Sequence, residues 1–201
     1  MLTRRLLPAL AAASILAASL PPALAEGADA AQATKLVQDL GAQLVAIVNG
    51  PGTIGAKQAK VAPLIERDVD VDGIARFCLG RFWRAATPPQ QQAYVQAFHK
   101  VMLNSITTRL GEFQGVAFAM TQTVQREGAT LVGTRITRPN QEPALVQWVV
   151  DGVDGQPKIV DLIAEGTSLR LTQRSDYGSF LSRNGGNVDA LIAAMRRQVG
   201  A

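Results

Sequence analysis

Two short apolar runs in the second half of the chain constrain its fold more than any other feature. Residues 144–150 and 159–164 are rich in β-branched and aromatic side chains, which favour extended strands. The segment between them, residues 151–157, contains two Asp-Gly pairs and a proline, a composition typical of turns. The sequence therefore predicts two antiparallel strands joined by a hairpin loop of more than two residues.

Two further strands are expected upstream of this hairpin. Residues 116–125 and 131–138 alternate between apolar and polar side chains, and turn-forming residues follow each of them. The four segments predict an antiparallel meander whose one apolar face needs a cover. The residues expected on that face are Val116, Phe118, Met120, Val124, Val132, Thr134, Ile136, Val146, Trp148, Val150, Val160, Leu162 and Ala164.

Helical periodicity dominates the rest of the chain and supplies that cover. Apolar residues recur at three- and four-residue steps over residues 28–49, 56–67 and 88–110, the spacing of one helix face. The last of these begins after Thr87 with two prolines, a strong helix start, and at roughly 35 Å it is long enough to cross a sheet. Shorter helices are expected over residues 73–79, 175–182 and 188–199. The fold class predicted is α+β, with a four-stranded sheet covered on one face by helices.

The first 25 residues have the pattern of an export signal. Arg4 and Arg5 precede an apolar stretch over residues 6–20, and Ala23-Leu24-Ala25 is an A-x-A cleavage site. The apolar stretch is shorter than the ~20 residues that a membrane-spanning helix needs. We expect cleavage after Ala25, leaving a single exported domain over residues 26–201.

The charge of the chain gives no reason to expect a nucleic-acid partner. The formal net charge is +4, and Arg4 and Arg5 of the predicted export signal contribute two of these positive charges. The remaining basic residues are scattered along the chain, whereas nucleic-acid-binding proteins usually gather them on one face.

The sequence contains no metal-binding pattern. Its one histidine, His99, and its one cysteine, Cys78, are too few for a usual zinc site. Residues 68–73 begin like a calcium-binding loop, but the twelfth position, which needs a bidentate glutamate, is Leu79. Asp72 is interpreted instead as the cap of the following helix, and Cys78 is expected to be buried and unreactive.

A catalytic arrangement is also missing from the sequence. Residues 166–168 resemble the start of a nucleophile elbow, but Arg170 occupies the position of its second glycine. Asp161 and Glu165 are expected on the solvated face of the last strand, and His99 is assigned no chemistry. The residues thus predict a protein that is not an enzyme and has no cofactor. Whether the apolar face covers a solid core or a cavity stays open, although the low aromatic content of 5% and Met102 and Met120 favour a deformable cavity.

Two segments resemble the MlaC family of periplasmic phospholipid carriers, also called the toluene-tolerance carriers. Residues 68–98 are similar to the family's D-x-x-x-I-A-x-x-x-L-G-x-x-W segment and the T-P-x-Q helix start after it, and residues 158–186 are similar to its E-G-x-S-L corner. Thr167 departs from the valine that the family often has. The matching residues are Ile74, Ala75, Leu79, Gly80, Trp83, Thr87, Gln91, Asp161, Glu165, Gly166, Ser168 and Leu169.

The resemblance implies a periplasmic carrier that holds phospholipid tails between sheet and helices and moves lipid between the two membranes of a Gram-negative envelope. It implies three partners: phospholipid as cargo, an inner-membrane ABC transporter complex with an MCE component, and an outer-membrane lipoprotein–porin complex. A family branch that carries hopanoid or another polycyclic lipid, a small periplasmic enzyme and a solid-core structural protein are the alternatives. The residues expected to contact the tails are Trp83, Phe98, Met102, Phe118, Met120, Val132, Ile136, Val146, Trp148, Val150, Val160 and Leu162.

Overall fold

Five antiparallel strands form the sheet in the structure, a computed structural model that describes residues 29–200. The strands follow one another in space in chain order, so the sheet is a meander. The predicted export signal lies outside the described residues. The strands are β1 (Ala117–Arg126), β2 (Ala129–Thr137), β3 (Ala144–Val153), β4 (Gln156–Ala164) and β5 (Thr167–Ser168).

The prediction of four strands was wrong. The fifth strand, β5, was missed because it is only two residues long. Glu165 and Gly166 both have positive φ, 50° and 78°, which is the backbone of a two-residue hairpin turn. This turn brings Ser168 opposite Ile163 and Thr167 opposite Ala164. The predicted long loop between β3 and β4 is likewise a two-residue turn, at Asp154 (φ 50°) and Gly155 (φ 75°), so both strands extend further than expected.

Two irregularities in the sheet change which side chains face the helices. The register of β1 against β2 shifts between Met120 and Thr123, so Thr123 takes the inward position expected for Val124, which is 45% exposed. The register of β3 against β4 shifts so that Ile159, and not Val160, lies opposite Val150. The expected inward positions of Val124 and Val160 were therefore wrong, because an extra residue in one strand reverses the alternation beyond it.

Seven α-helices and one 3₁₀ turn cover the sheet and pack on one another in the described part of the chain. α1 (Ala30–Asn49) packs on the inner face of β1–β4, the place expected for the helix after Thr87. That helix, α5 (Pro88–Thr107), packs instead against α2, α3 and α7. The others are α2 (Ile54–Asp68), α3 (Val71–Leu79), α4 (Phe82–Ala85), α6 (Leu169–Arg183), α7 (Val188–Gln198) and the 3₁₀ turn Leu110–Phe113.

Side-chain caps define the helix starts that matter for the site. The Thr87 hydroxyl and Gln90 form a capping box at the start of α5, as the sequence predicts. Asp70 caps α3 by accepting a hydrogen bond from the Gly73 N–H at 2.9 Å, so the prediction of Asp72 as the cap was wrong. α6 begins at Leu169, six residues before the expected start, with Ser168 as its cap.

Buried apolar residues form two clusters. One lies between α1 and the inner face of the sheet and includes Val37, Leu40, Val132 and Val150. The other lies among α2, α3, α5, α6 and α7. Among residues 29–200, no helix is both long enough and apolar enough to cross a membrane.

Candidate binding site

An apolar cavity of about 340 Å³ lies where β4 meets helices α3, α5 and α6. It occupies the gap between the two buried clusters, and most of its walls are aliphatic or aromatic. Each neighbouring element contributes side chains, which are Leu44, Ile65, Val69, Ile74, Cys78, Phe98, Val101, Met102, Ser105, Ile106, Trp148, Ile159, Asp161, Leu162, Leu169, Arg170, Gln173 and Tyr177.

The structure brings four of the twelve expected tail-contacting residues together in this cavity. Phe98 and Met102 project from α5, Trp148 from β3 and Leu162 from β4. The Phe98 ring packs edge-on against Tyr177 of α6, with centroids 6.3 Å apart. These contacts join helix and sheet around one apolar space.

Most of the other expected residues lie elsewhere on the inner face of the sheet. Val132 and Val150 are fully buried beneath α1, and Phe118, Met120 and Val146 pack against the same cluster. Ile136 packs against the helical cluster instead. The sequence pattern identifies the face correctly, but it does not show where along that face the helices stand away from the sheet.

Two expected residues lie away from the inner face altogether. Trp83 is half-buried in α4, with the Arg76 guanidinium 5.2 Å from its ring centre, and it does not line the cavity. Val160 lines a groove of about 590 Å³ on the outer side of the sheet, because of the shifted register of β4. That groove is larger than the cavity, but charged residues such as Asp70, Arg126 and Asp151 line it, so it suits an apolar ligand less well.

The largest group of cavity residues that sequence reasoning missed lies on α6. Leu169, Gln173 and Tyr177 follow one another at four-residue steps and line the cavity together. That spacing is the signature of one helix face, so it is the signal that could have found them. It was missed because the helix was expected to begin only at Ser175.

Asp161 holds the first turn of α6 against β4. One carboxylate oxygen accepts hydrogen bonds from the Leu162 N–H at 2.8 Å and the Arg170 N–H at 3.0 Å. The other accepts the Ser168 hydroxyl and lies 3.5 Å from Arg170 Nε. Asp161 is 5% exposed, so the expectation that it is solvated was wrong. Glu165, which was also expected on the solvated face of the last strand, is exposed.

Cys78 lies in the cavity wall and is buried, as the sequence predicts. Its thiol donates a long hydrogen bond, 3.5 Å, to the Arg170 carbonyl oxygen. Burial, with a smaller contribution from the negative charge of Asp161, raises the pKa of Cys78 to about 12. The thiol is therefore protonated at neutral pH and is a poor nucleophile.

Tyr177 lines the cavity, and Tyr94 packs against it within the helical cluster. Tyr94 donates its hydroxyl hydrogen to the Ala75 carbonyl oxygen at 3.0 Å, and its ring packs against Phe98 and Tyr177. Burial raises the pKa of both tyrosines. His99 lies outside the cavity, where its Nε2 is 2.6 Å from Asp72 Oδ1. Across residues 29–200, no group of three or more His, Cys, Asp or Glu side chains is placed to hold a metal ion.

Comparison with known proteins identifies the family. The sequence model of the MlaC protein family matches residues 34–197. The chain belongs to the MlaC family. The resemblance inferred from residues 68–98 and 158–186 is thereby confirmed.

A curated relative of this MlaC-family chain is the toluene tolerance protein Ttg2D of Pseudomonas putida. The two are 26% identical over 126 residues, which is 62% of this chain. The match spans only 59% of the length of Ttg2D.

A solved structure shares the fold. It is the phospholipid-binding protein of Ralstonia solanacearum in complex with a phospholipid, with a TM-score of 0.73 and 21% sequence identity. The alignment covers 84% of this chain and 97% of the Ralstonia protein. At this identity the match shows that the two proteins share an architecture of helices packed on an antiparallel sheet.

Proposed function

We propose that this protein is a phospholipid carrier whose cavity between β4, α5 and α6 holds acyl tails. The observation that carries the proposal is the chemistry of the cavity, which has apolar walls and a short polar edge formed by Ser105, Arg170 and Gln173. An amphipathic lipid has the same division between tails and headgroup. Membership of the MlaC family and the phospholipid bound by the Ralstonia neighbour support this assignment.

The size of the cavity sets a condition on loading. Its volume of about 340 Å³ is at the lower end of the ~300–1,000 Å³ range of small-molecule pockets. A phospholipid with two long tails needs more space, so α5 and α6 must move outward on binding. Met102 lies on this wall, and its unbranched thioether side chain adapts readily to the shape of a ligand.

A carrier lowers the free-energy cost of moving a lipid through water. Burying an acyl chain is worth ~0.8 kcal/mol per methylene group, so a tail of ~16 carbons exposed to water costs on the order of 10 kcal/mol. A protein that encloses the tail removes this barrier. The proposal includes a periplasmic location after cleavage at Ala25 and shuttling of lipid between the outer and inner membranes. The proposed partners are an outer-membrane lipoprotein–porin complex and an inner-membrane ABC transporter complex with an MCE component.

The test is to measure the lipid that copurifies with the full chain expressed with its own leader. We expect phospholipid in the wild-type protein, identified by mass spectrometry of the extracted lipid. Met102→Asp should carry at least about tenfold less, because an unpaired carboxylate among acyl tails is unfavourable. Leu145→Asp is the matched control, since Leu145 is 55% exposed and does not line the cavity.

Thermal melts give an independent readout of the same proposal. Delipidated wild-type protein should melt at a lower temperature and recover when phospholipid is added, because a ligand that binds only the folded state stabilises it. Wild-type protein that carries no lipid and melts at the same temperature with or without phospholipid would contradict the carrier function. Copurification of a polycyclic lipid in place of phospholipid would instead indicate a carrier of hopanoid-type lipid.

A further inference from the structure

Among residues 29–200, two charged side chains line the cavity, Asp161 and Arg170. They differ in burial and in how fully they are hydrogen-bonded. Asp161 is buried, and its two oxygens accept hydrogen bonds from two backbone N–H groups and the Ser168 hydroxyl. Arg170 is partly exposed, with 32% of its side-chain surface accessible. Arg170 lines both the cavity and the outer groove that contains Val160, so its side chain lies at the boundary between the two.

The guanidinium group of Arg170 has N–H donors that make no hydrogen bond within the described chain. Its Nε is buried and makes no hydrogen bond within the described chain, since the Asp161 oxygen is 3.5 Å away. One terminal nitrogen reaches the Val160 carbonyl oxygen only at 3.5 Å. Because a guanidinium carries five N–H donors in a fixed planar fork, this group can still bind an anionic oxygen pair.

The guanidinium group lies against an aromatic ring of the outer groove. Its central carbon lies 4.6 Å from the ring centre of Phe77, and the central carbon of Arg174 lies 4.7 Å from the same centre. Two guanidinium groups therefore flank one ring, and with Asp161 they leave the local charge positive. Arg174 does not line the cavity; it lines a separate groove between α3 and α6.

We propose that Arg170 binds the phosphodiester group of the lipid headgroup while the tails lie in the cavity. The inference rests on the proposed carrier function and adds the chemical group by which the protein distinguishes its cargo from an uncharged lipid. A phosphodiester has two anionic oxygens, which match the planar guanidinium fork. Gln173, which lines the same cavity, adds an amide donor one turn further along α6.

The test compares two lipids that have the same tails, of which only one carries a phosphodiester-linked headgroup. Delipidated protein is incubated with phosphatidylcholine vesicles that contain equal amounts of dioleoylphosphatidylglycerol and dioleoylglycerol, and the bound amounts are measured by mass spectrometry. We expect the wild type to load phosphatidylglycerol about tenfold more than diacylglycerol, the gain of a charge-assisted bidentate contact. Arg170→Gln should bring this ratio close to one, because it lowers the loading of phosphatidylglycerol about tenfold.

Two matched variants separate headgroup binding from a structural role. Arg174→Gln removes a guanidinium from the same Phe77 ring and should keep the wild-type ratio. Arg170→Lys keeps the charge and should retain most of the preference. An unchanged circular dichroism spectrum and an unchanged melting temperature show that a variant is folded.

The outcomes separate this inference from the function on which it rests. Wild-type protein that loads both lipids equally would overturn the role of Arg170 but leave the carrier function standing, whereas a protein that loads neither would overturn both. An equal loss of preference in Arg170→Gln and Arg174→Gln would also overturn it. Glycerol 3-phosphate at millimolar concentration should not reduce phosphatidylglycerol loading; competition seen in the wild type but not in Arg170→Gln would indicate a site for free phosphate esters instead.

Discussion

The space beneath the sheet is solid at one end and hollow at the other. At the packed end, α1 lies on the inner face of β1–β4, and Val37, Leu40 and Val132 have no exposed surface. At the hollow end, α5, α6 and β4 leave about 340 Å³ unfilled between them. One apolar sheet face therefore serves both as part of a solid core and as a cavity wall.

Residue size on the helices explains the close approach at the packed end. α1 faces the sheet with Ala33 and Gly41 among its leucines and valines. A Cβ added to Gly41 would overlap the Phe118 ring, so the missing side chain is what admits that ring. Small residues let a helix approach its neighbour closely, and native cores fill the remaining space with few voids.

Polar contacts take the place of dense packing at the hollow end. Asp161 fixes the start of α6 by hydrogen bonds to the Arg170 N–H and the Ser168 hydroxyl. Trp148 separates the two ends: its indole N–H donates to the Thr134 hydroxyl at 2.9 Å, and its ring packs edge-on against Phe118. The comparison teaches that a cavity persists where hydrogen bonds, and not side-chain filling, hold the neighbouring elements in place.

The largest effect is expected from removing the polar contacts of the hollow end. Asp161→Ala should lower the free energy of unfolding by about 3–5 kcal/mol, because it leaves the backbone N–H groups of Leu162 and Arg170 and the Ser168 hydroxyl without their acceptor and the Arg170 guanidinium without its counter-charge. Denaturant titration measures the loss. Glu165→Gln, at the exposed neighbouring carboxylate, is the control and should change stability by less than about 0.5 kcal/mol. A cost below about 1 kcal/mol for Asp161→Ala would show that packing alone positions α6.

Truncation of one apolar side chain at each end should give unequal losses. Leu40→Ala at the packed end should cost about 2–5 kcal/mol, because it leaves a new void in a filled core. Met102→Ala should cost less than about 1 kcal/mol in lipid-free protein, since its side chain already borders unfilled space. Denaturant titration of both delipidated variants tests the difference, and equal costs would mean that the cavity is closed in solution.

Enlargement of a side chain at each end should give the smallest effects, in opposite directions. Gly41→Leu should destabilise the protein by about 1–3 kcal/mol, because the new side chain displaces Phe118 from Trp148. Ile106→Phe should leave the melting temperature unchanged or slightly higher and should reduce phospholipid loading, because the larger ring occupies the cavity. Thermal melts and lipid loading of both variants check this pair. A strong destabilisation by Ile106→Phe would contradict the presence of unfilled space beside Ile106.

Much of the fold could be predicted because local signals determined it. The alternation in residues 144–150, the capping box at Thr87 and the periodicity of α1 each depend on residues close in sequence, and the structure contains all three elements. The errors arose where a single residue changed the pattern. The bulges near Val124 and Val160 left no mark in composition, and the early start of α6 was missed because the helix was expected to begin only at Ser175.

The candidate site was predicted less completely for the same physical reason. Phe98, Met102, Trp148 and Leu162 were found because strand alternation and helix periodicity place them on inward faces. Asp161 and Arg170 were missed because their roles depend on a contact between β4 and α6 that no local pattern encodes. Both residues nevertheless lie in the segment over residues 158–186 that carries the family resemblance.

The sequence by itself determined the α+β class, the meander of strands, the membership of the MlaC family and the inward face of the sheet. Those properties follow from backbone preferences and alternation over a few residues, and from motifs that can be read directly. Only the tertiary structure decided where that face is covered tightly and where it borders a cavity. The reason is that an unfilled volume depends on the distances between β4, α5 and α6 together, and these distances are set by the whole set of packed side chains and by the buried carboxylate of Asp161.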